Sequence, residues 1–186
     1  MRAWIKVVEE GEAKEELAKT YDEVRGSRGR VSNVMKIHSL DPEAMKLHLQ
    51  LYLHLMYGKS SITRTQREMI AVLVSQLNGC QYCVTHHEEA LRAHSRNPDL
   101  IKSLKDDFSN APISERDRVM LEYVAKLTRQ PSLVAETDVR RMREVGFTDE
   151  EILRVNLITS YFNFVNRIVA GLGTPVEEDK ERVYMY

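Results

Sequence analysis

Cys80 and Cys83 are the only cysteines of the chain, and they form a C-x-x-C followed closely by His86 and His87. On a helix beginning at Cys80, residues 80, 83 and 87 share one stripe, because steps of three and four return to the same face. The two sulfurs can then pair as a disulfide. Cys83 and His87 become neighbours one turn apart, so an imidazole can take or return a thiol proton, while His86 points elsewhere. This set suits peroxide chemistry. A thiolate, not a thiol, attacks a peroxide oxygen, the attacking sulfur becomes a sulfenic acid, and a second cysteine condenses with it before over-oxidation.

Glu68 joins the set through a longer argument. It lies about ten residues before the Asn78-Gly79 turn, roughly 15 Å along its helix, and His87 lies roughly 12 Å along the next one. If the two helices pack antiparallel, Glu68 and His87 come level, with Ala71 and Ser75 small enough to permit close approach. A carboxylate beside the apolar run Met69–Val74 is costly to bury alone, and desolvation there is expected to raise its pKa. The competing reading is a surface acid paired with Arg64 or Arg67. Either cysteine could attack: the helix dipole favours Cys80, whereas proximity to His87 favours Cys83.

The elements that must position these residues are helical almost throughout. A charged amphipathic helix is expected over 11–25. Asp41-Pro42-Glu43 starts a second, with Asp as cap and Pro in the first turn, carrying a Leu/Met stripe to about Tyr57. Gly58–Ser61 is a loop. Thr63 opens a helix through Leu77 that Asn78-Gly79 stops, and Cys80 begins the next, to about His94. Asn97-Pro98-Asp99 opens a short helix. Ser114 caps 115–129, with Pro131 at its end, and another helix spans 136–144, up to Gly146. Thr148-x-x-Glu151 is a capping-box signature before a long helix through Val169, closed by Gly171, Gly173 and Pro175. No strand is expected.

Residues 62–68 and 113–119 (ITRTQRE and ISERDRV) resemble each other at a spacing of 51, which suggests a degenerate internal repeat over 62–95 and 113–144. In that register Glu68 falls on Val119 and Cys80 on Pro131, so a second copy would keep the scaffold without the chemistry.

Composition narrows the function classes. A chain of 186 residues with 42% apolar and 30% charged residues is long enough for one domain that needs no disulfide staple or structural metal. A net charge of −1 supplies no basic stripe for phosphates, so no nucleic acid partner is expected. Glu9, Glu10, Glu12, Lys14, Glu15 and Glu16 interrupt any apolar leader, and Met69–Val74 is far shorter than the ~20 residues of a membrane span. The expected location is the cytoplasm, where structural disulfides are rare and a C-x-x-C is more often reactive or metal-binding. A zinc site is disfavoured, because His87 could supply a third ligand but no second C-x-x-C exists. A thioredoxin-like fold would need a βαβ pattern, which is missing.

The pattern Glu68-x11-Cys80-x2-Cys83-x3-His87 resembles the active-site signature of the alkylhydroperoxidase D (AhpD)-like family, within the carboxymuconolactone decarboxylase superfamily. The segment from Gly146-Phe-Thr-Asp-Glu-Glu-Ile through Tyr161 to Gly173 resembles the long C-terminal helix of its peroxidase-related branch. The likeness covers roughly residues 35–175 of one domain spanning 1–186. It implies an all-α, multihelical bundle with the C-x-x-C at the start of a helix. It further implies a homo-oligomer (dimer, trimer or hexamer) that reduces hydrogen peroxide or organic hydroperoxides. Cys83 would be the peroxidatic thiol, Cys80 the resolving thiol, and Glu68 and His87 the proton relay. A dithiol reductant or redox partner protein would recharge the pair; no cofactor or metal is implied. One position departs from the pattern: the best-known members carry a second His where this chain has Tyr82.

Two other readings stand beside a peroxidase: a non-catalytic redox sensor or interaction protein, and a decarboxylase of the muconolactone type, which the C-x-x-C argues against. His38, His48, His54 and His94 are expected at the surface or its boundary. Asn163, Asn166 and Arg167, set among apolar residues, are expected either as satisfied core or interface groups or as a pocket lining.

Overall fold

The computed structural model describes residues 1–95 and 97–177. Among them are nine α-helices and no strand: α1 Glu15–Arg28, α2 Asn33–Lys36, α3 Pro42–Tyr57, α4 Arg64–Leu77, α5 Gln81–His94, α6 Pro98–Asp106, α7 Glu115–Arg129, α8 Glu136–Glu144 and α9 Asp149–Leu172. The described chain divides into two compact units, one formed by residues 1–54 with 168–177, the other by Leu55–Arg167.

In the first unit, Leu17, Tyr21, Val24, Val31, Met35, Met45 and Leu49 form the core. The helix expected over 11–25 begins later and runs further. Glu10–Glu12 is a separate 3-10 turn, and α1 continues through Gly26 until Gly29 adopts the left-handed conformation at φ 79°. The expectation for His48 is also overturned. It is buried, and its Nδ1 donates to His38 Nε2 at 3.2 Å while His38 Nδ1 donates to the Val34 carbonyl at 3.0 Å. Desolvation pushes His48 down to about 3, so two neutral imidazoles satisfy each other in place of water.

The second unit is organised around α4. Thr63 caps it with a reciprocal box: Gln66 N–H donates to Thr63 Oγ1 at 3.2 Å and Thr63 N–H donates to Gln66 Oε1 at 2.9 Å. Every residue from Gln66 to Ser75 is buried, because α5, α6 and α7 all pack against this helix. The buried Arg67 is satisfied locally, donating to the carbonyls of Ile62, Leu55 and Gly58 at 2.9–3.1 Å. The expected caps of α7 and α9 are present: Ser114 Oγ accepts from Asp117 N–H at 3.1 Å, and Thr148 and Glu151 bond reciprocally at 2.9 and 3.2 Å. No helix among the described residues is long and apolar enough to cross a membrane.

Candidate active site

The turn between α4 and α5 places the sulfurs. Gly79 has φ 65°, a conformation cheap only for glycine. It lets Gly79 N–H bond Gln76 O at 3.1 Å and Cys80 N–H bond Ser75 O at 2.9 Å, the paired bonds of a Schellman ending. Cys80 is thereby both the residue leaving α4 and the N-cap of α5, one position earlier than a helical residue. Cys80 and Cys83 are buried free thiols.

Antiparallel packing of α4 and α5 brings Glu68 and His87 together as the spacing implied: His87 Nδ1 lies 2.7 Å from Glu68 Oε2. Glu68 is fully buried, and Arg64, one turn earlier, places Nη2 2.6 Å from the other carboxylate oxygen. That contact is an ion pair without the angles of a directed hydrogen bond. Glu68 is therefore not a surface acid, although the pairing with Arg64 that the surface reading offered is present beside the contact with His87. The expected rise in its pKa is not: desolvation pushes upward, but His87 and Arg64 outweigh it and hold the group below the usual carboxylate value. An ionised Glu68 only accepts, so the proton between them sits on His87 Nδ1 and leaves Nε2 to exchange protons. Phe162 closes edge-on against the imidazole at 4.6 Å.

The thiols are unequal. The Cys83 thiol and, more loosely, the backbone amides of Cys83 and Tyr82 hold Cys80 down to about 7 against the opposing effect of burial. Cys80 makes no capping hydrogen bond, so the α5 amides act as a field rather than as a directed bond. Sharing a proton with Cys80, together with burial, pushes Cys83 well above the usual thiol range. The directions of the two shifts make Cys80 the more acidic sulfur of the pair. Tyr82, in the position that departs from the family pattern, is buried and stacks edge-on against His86 at 4.5 Å.

Asn166 and Asn163, expected either as satisfied core or interface groups or as a pocket lining, complete the surroundings together with Asn78. Asn166 Nδ2 donates to Ser75 Oγ at 3.2 Å and acts to lower the pKa of both thiols. Asn78 Nδ2 donates to Asn166 Oδ1 and Asn163 Oδ1 at 3.0 and 3.1 Å. Asn78 read as a helix stop because it precedes Gly79; its second role had no local signal. No three His, Cys, Asp or Glu side chains among the described residues converge as a metal site.

A multihelical chain with a buried dithiol at a helix start and an imidazole–carboxylate pair one turn behind it defines a recognisable class. The carboxymuconolactone decarboxylase family model matches residues 42–104. The fold is similar to that of a peroxidase-related protein from Silicibacter sp. TM1040, with 33% identity, TM-score 0.80, and 89% of this chain and 86% of that one covered. It is also similar to an alkylhydroperoxidase AhpD core protein from Ralstonia eutropha JMP134, with 28% identity, TM-score 0.84, and 95% and 93% covered. YdfG of Bacillus subtilis is 29% identical over 144 residues, covering 77% of this chain and 96% of YdfG. The chain belongs to the AhpD-like, carboxymuconolactone decarboxylase superfamily.

Proposed function

We propose that the protein is a thiol-dependent peroxidase acting on hydrogen peroxide or organic hydroperoxides. The observation that carries this reading is the 2.7 Å Glu68–His87 pair one turn from two buried free thiols. The Cys80 thiolate attacks the terminal peroxide oxygen and the O–O bond breaks. The departing alkoxide takes a proton by way of His87, and Cys80 is left as a sulfenic acid, oxidised by two electrons. Cys83 then surrenders its proton to the relay and attacks the Cys80 sulfur, expelling hydroxide that leaves as water. An external dithiol returns two electrons and two protons and is itself oxidised to a disulfide.

The charge distribution favours Cys80 as the attacking sulfur and Cys83 as the resolving one, the reverse of the roles the family resemblance implied. The relationship to peroxidase-related proteins supports the reaction class. Recharging suits a reducing compartment such as the cytoplasm. The exposed Leu153, Leu157 and Phe164 along α9 support assembly as a homo-oligomer, for which light scattering should show a particle larger than the 21.6 kDa chain.

The test is peroxide consumption by the pure protein with a panel of dithiol reductants. Many turnovers per chain are expected with at least one dithiol. A single oxidation per chain across the whole panel would instead identify a stoichiometric redox sensor.

A further inference from the structure

The Glu68 carboxylate is shared between two partners. Oε2 meets His87 Nδ1 at 2.7 Å, and Oε1 meets Arg64 Nη2 at 2.6 Å. Arg64 is itself held from the end of α3. Its Nη1 donates to the Met56 carbonyl at 3.0 Å and its Nη2 to the Tyr57 hydroxyl at 3.1 Å. The guanidinium also lies over the Tyr57 ring, 4.0 Å from its centroid. These contacts fix where the guanidinium stands, and what it delivers to Glu68 is charge at close range. The Arg64 side chain is 17% exposed and that of Glu68 0%. A carboxylate so enclosed has little solvent screening, so a cation at this distance acts on it strongly. Arg67, the other arginine beside Glu68 on α4, turns instead to the carbonyls of Ile62, Leu55 and Gly58, and Arg154 of α9 adds positive charge beside it.

We propose that Arg64 is a positioning residue of the proton relay: stacked on Tyr57, it turns the Glu68 carboxylate toward His87, keeps the shared proton on the His87 ring, and lowers the pH at which the pair takes up a further proton. The use of the pair as a relay rests on the peroxidase reading above, whereas the hold of Arg64 on it does not. A carboxylate bonded only to an imidazole can draw the proton to itself or leave it on the ring. A cation on the other oxygen favours the ionised carboxylate and makes the pair as a whole bind protons less tightly. His87 Nε2 then stays able to accept a proton at a lower pH than the pair alone would allow. A Glu and an Arg four residues apart on a helix are ordinarily a weak surface contact. Burial of the acid is what gives this cation its effect.

The experiment titrates the pair at the His87 ring, by NMR of protein carrying isotope-labelled histidine, with the signal assigned by its loss in His87→Gln. No peroxide is needed. In Arg64→Met the midpoint should rise by about one pH unit over the parent. Arg64→Lys keeps the charge and should stay within about a few tenths of a unit of the parent. Tyr57→Leu leaves the guanidinium but removes its stacking ring and one acceptor, and should raise the midpoint by about a few tenths. A loss of stability alone would move none of these midpoints. An Arg64→Met midpoint at or below that of the parent would overturn the proposal. If Arg64→Met does not fold, an unmoved Tyr57→Leu midpoint overturns it instead. The acid limb of the pH–rate profile for peroxide consumption should move up in the same variants and the same order. A parent that consumes no peroxide while the ring midpoints shift as stated would defeat the peroxidase reading and leave the hold of Arg64 on the pair standing.

Discussion

Within Leu55–Arg167, the segments from Thr63 and from Ser114 begin their helices alike and differ in the residues that follow. Thr63 and Ser114, 51 residues apart, cap α4 and α7 in the same way, each accepting from the N–H three residues on. Arg67 and Arg118, again 51 apart, each return to a carbonyl nine residues earlier, Gly58 and Ser109. Gln66 and Asp117, the equivalent third residues, bond each other at 2.6 Å. The segments part company where the first does its chemistry. At the 51-residue offset Glu68 aligns with Val119, Arg64 with Glu115, His87 with Asp138, and the Gly79-Cys80 exit with Gln130-Pro131. A cap and an arginine that folds back on a preceding carbonyl are common to both helix starts. A buried carboxylate is tolerable only where a cation and an imidazole stand around it.

Removing a sulfur breaks the comparison most severely. Cys80→Ser and Cys83→Ser should each abolish multiple turnover. Cys83→Ser should still form a sulfenic acid at Cys80 that a dimedone-type probe captures, whereas Cys80→Ser should stay inert near neutrality with its remaining thiol protonated. Capture on Cys83 alone would return the roles to those of the family resemblance. Alkylation of the parent should rise with pH around a midpoint of about 7.

Glu68→Gln should lower the peroxidase rate by about 10²- to 10⁴-fold, the usual contribution of general acid–base catalysis. Because the carboxylate is paired, its loss should also destabilise the protein, by about 1–3 kcal/mol. The sign with pH follows from a folded-state pKa held below the ordinary 4.5. The stabilisation is complete above the unfolded-state value and disappears as pH falls through the folded-state one. Acid titration of the parent should therefore lose stability that Glu68→Gln never had.

Val119→Glu asks whether the second segment could host the same acid. In the repeat register Glu115 and Asp138 take the places of Arg64 and His87, so the new carboxylate gains neither cation nor imidazole from those positions. Urea unfolding should reveal a loss of about 3–5 kcal/mol, the cost of an uncompensated buried charge. A variant as stable as the parent would remove the electrostatic distinction between the segments. The smallest effects sharpen the likeness: Thr63→Ala and Ser114→Ala should each cost about 1 kcal/mol, and equally.

The helices, caps and stops were legible because each rests on a local rule. Thr63, Ser114 and Thr148 sit before periodic runs, and Asn78-Gly79 follows one. The Glu68–His87 contact was also legible, from helix lengths on either side of a short turn. Its electrostatic sign was not, since that depends on the simultaneous approach of Arg64 and His87, which linear spacing offered as alternatives. The inequality of the thiols was open for a similar reason. The burial of both sulfurs and the reach of Asn166 from a distant helix to Ser75 are tertiary facts. The start of α1 was misplaced because a run of acidic residues has helical periodicity whether or not the chain turns first.

The burial of α4 on every side has a consequence for motion. The amides from Met69 to Val74 lie within the enclosed stretch and have no local route to solvent, so their hydrogens should exchange only through opening of the surrounding unit. Glu68 is anchored at the start of that protected segment, whereas the sulfurs belong to a turn and the first residues of α5. Any displacement that accompanies disulfide formation should therefore be borne by the α5 side, with the carboxylate as the stationary reference.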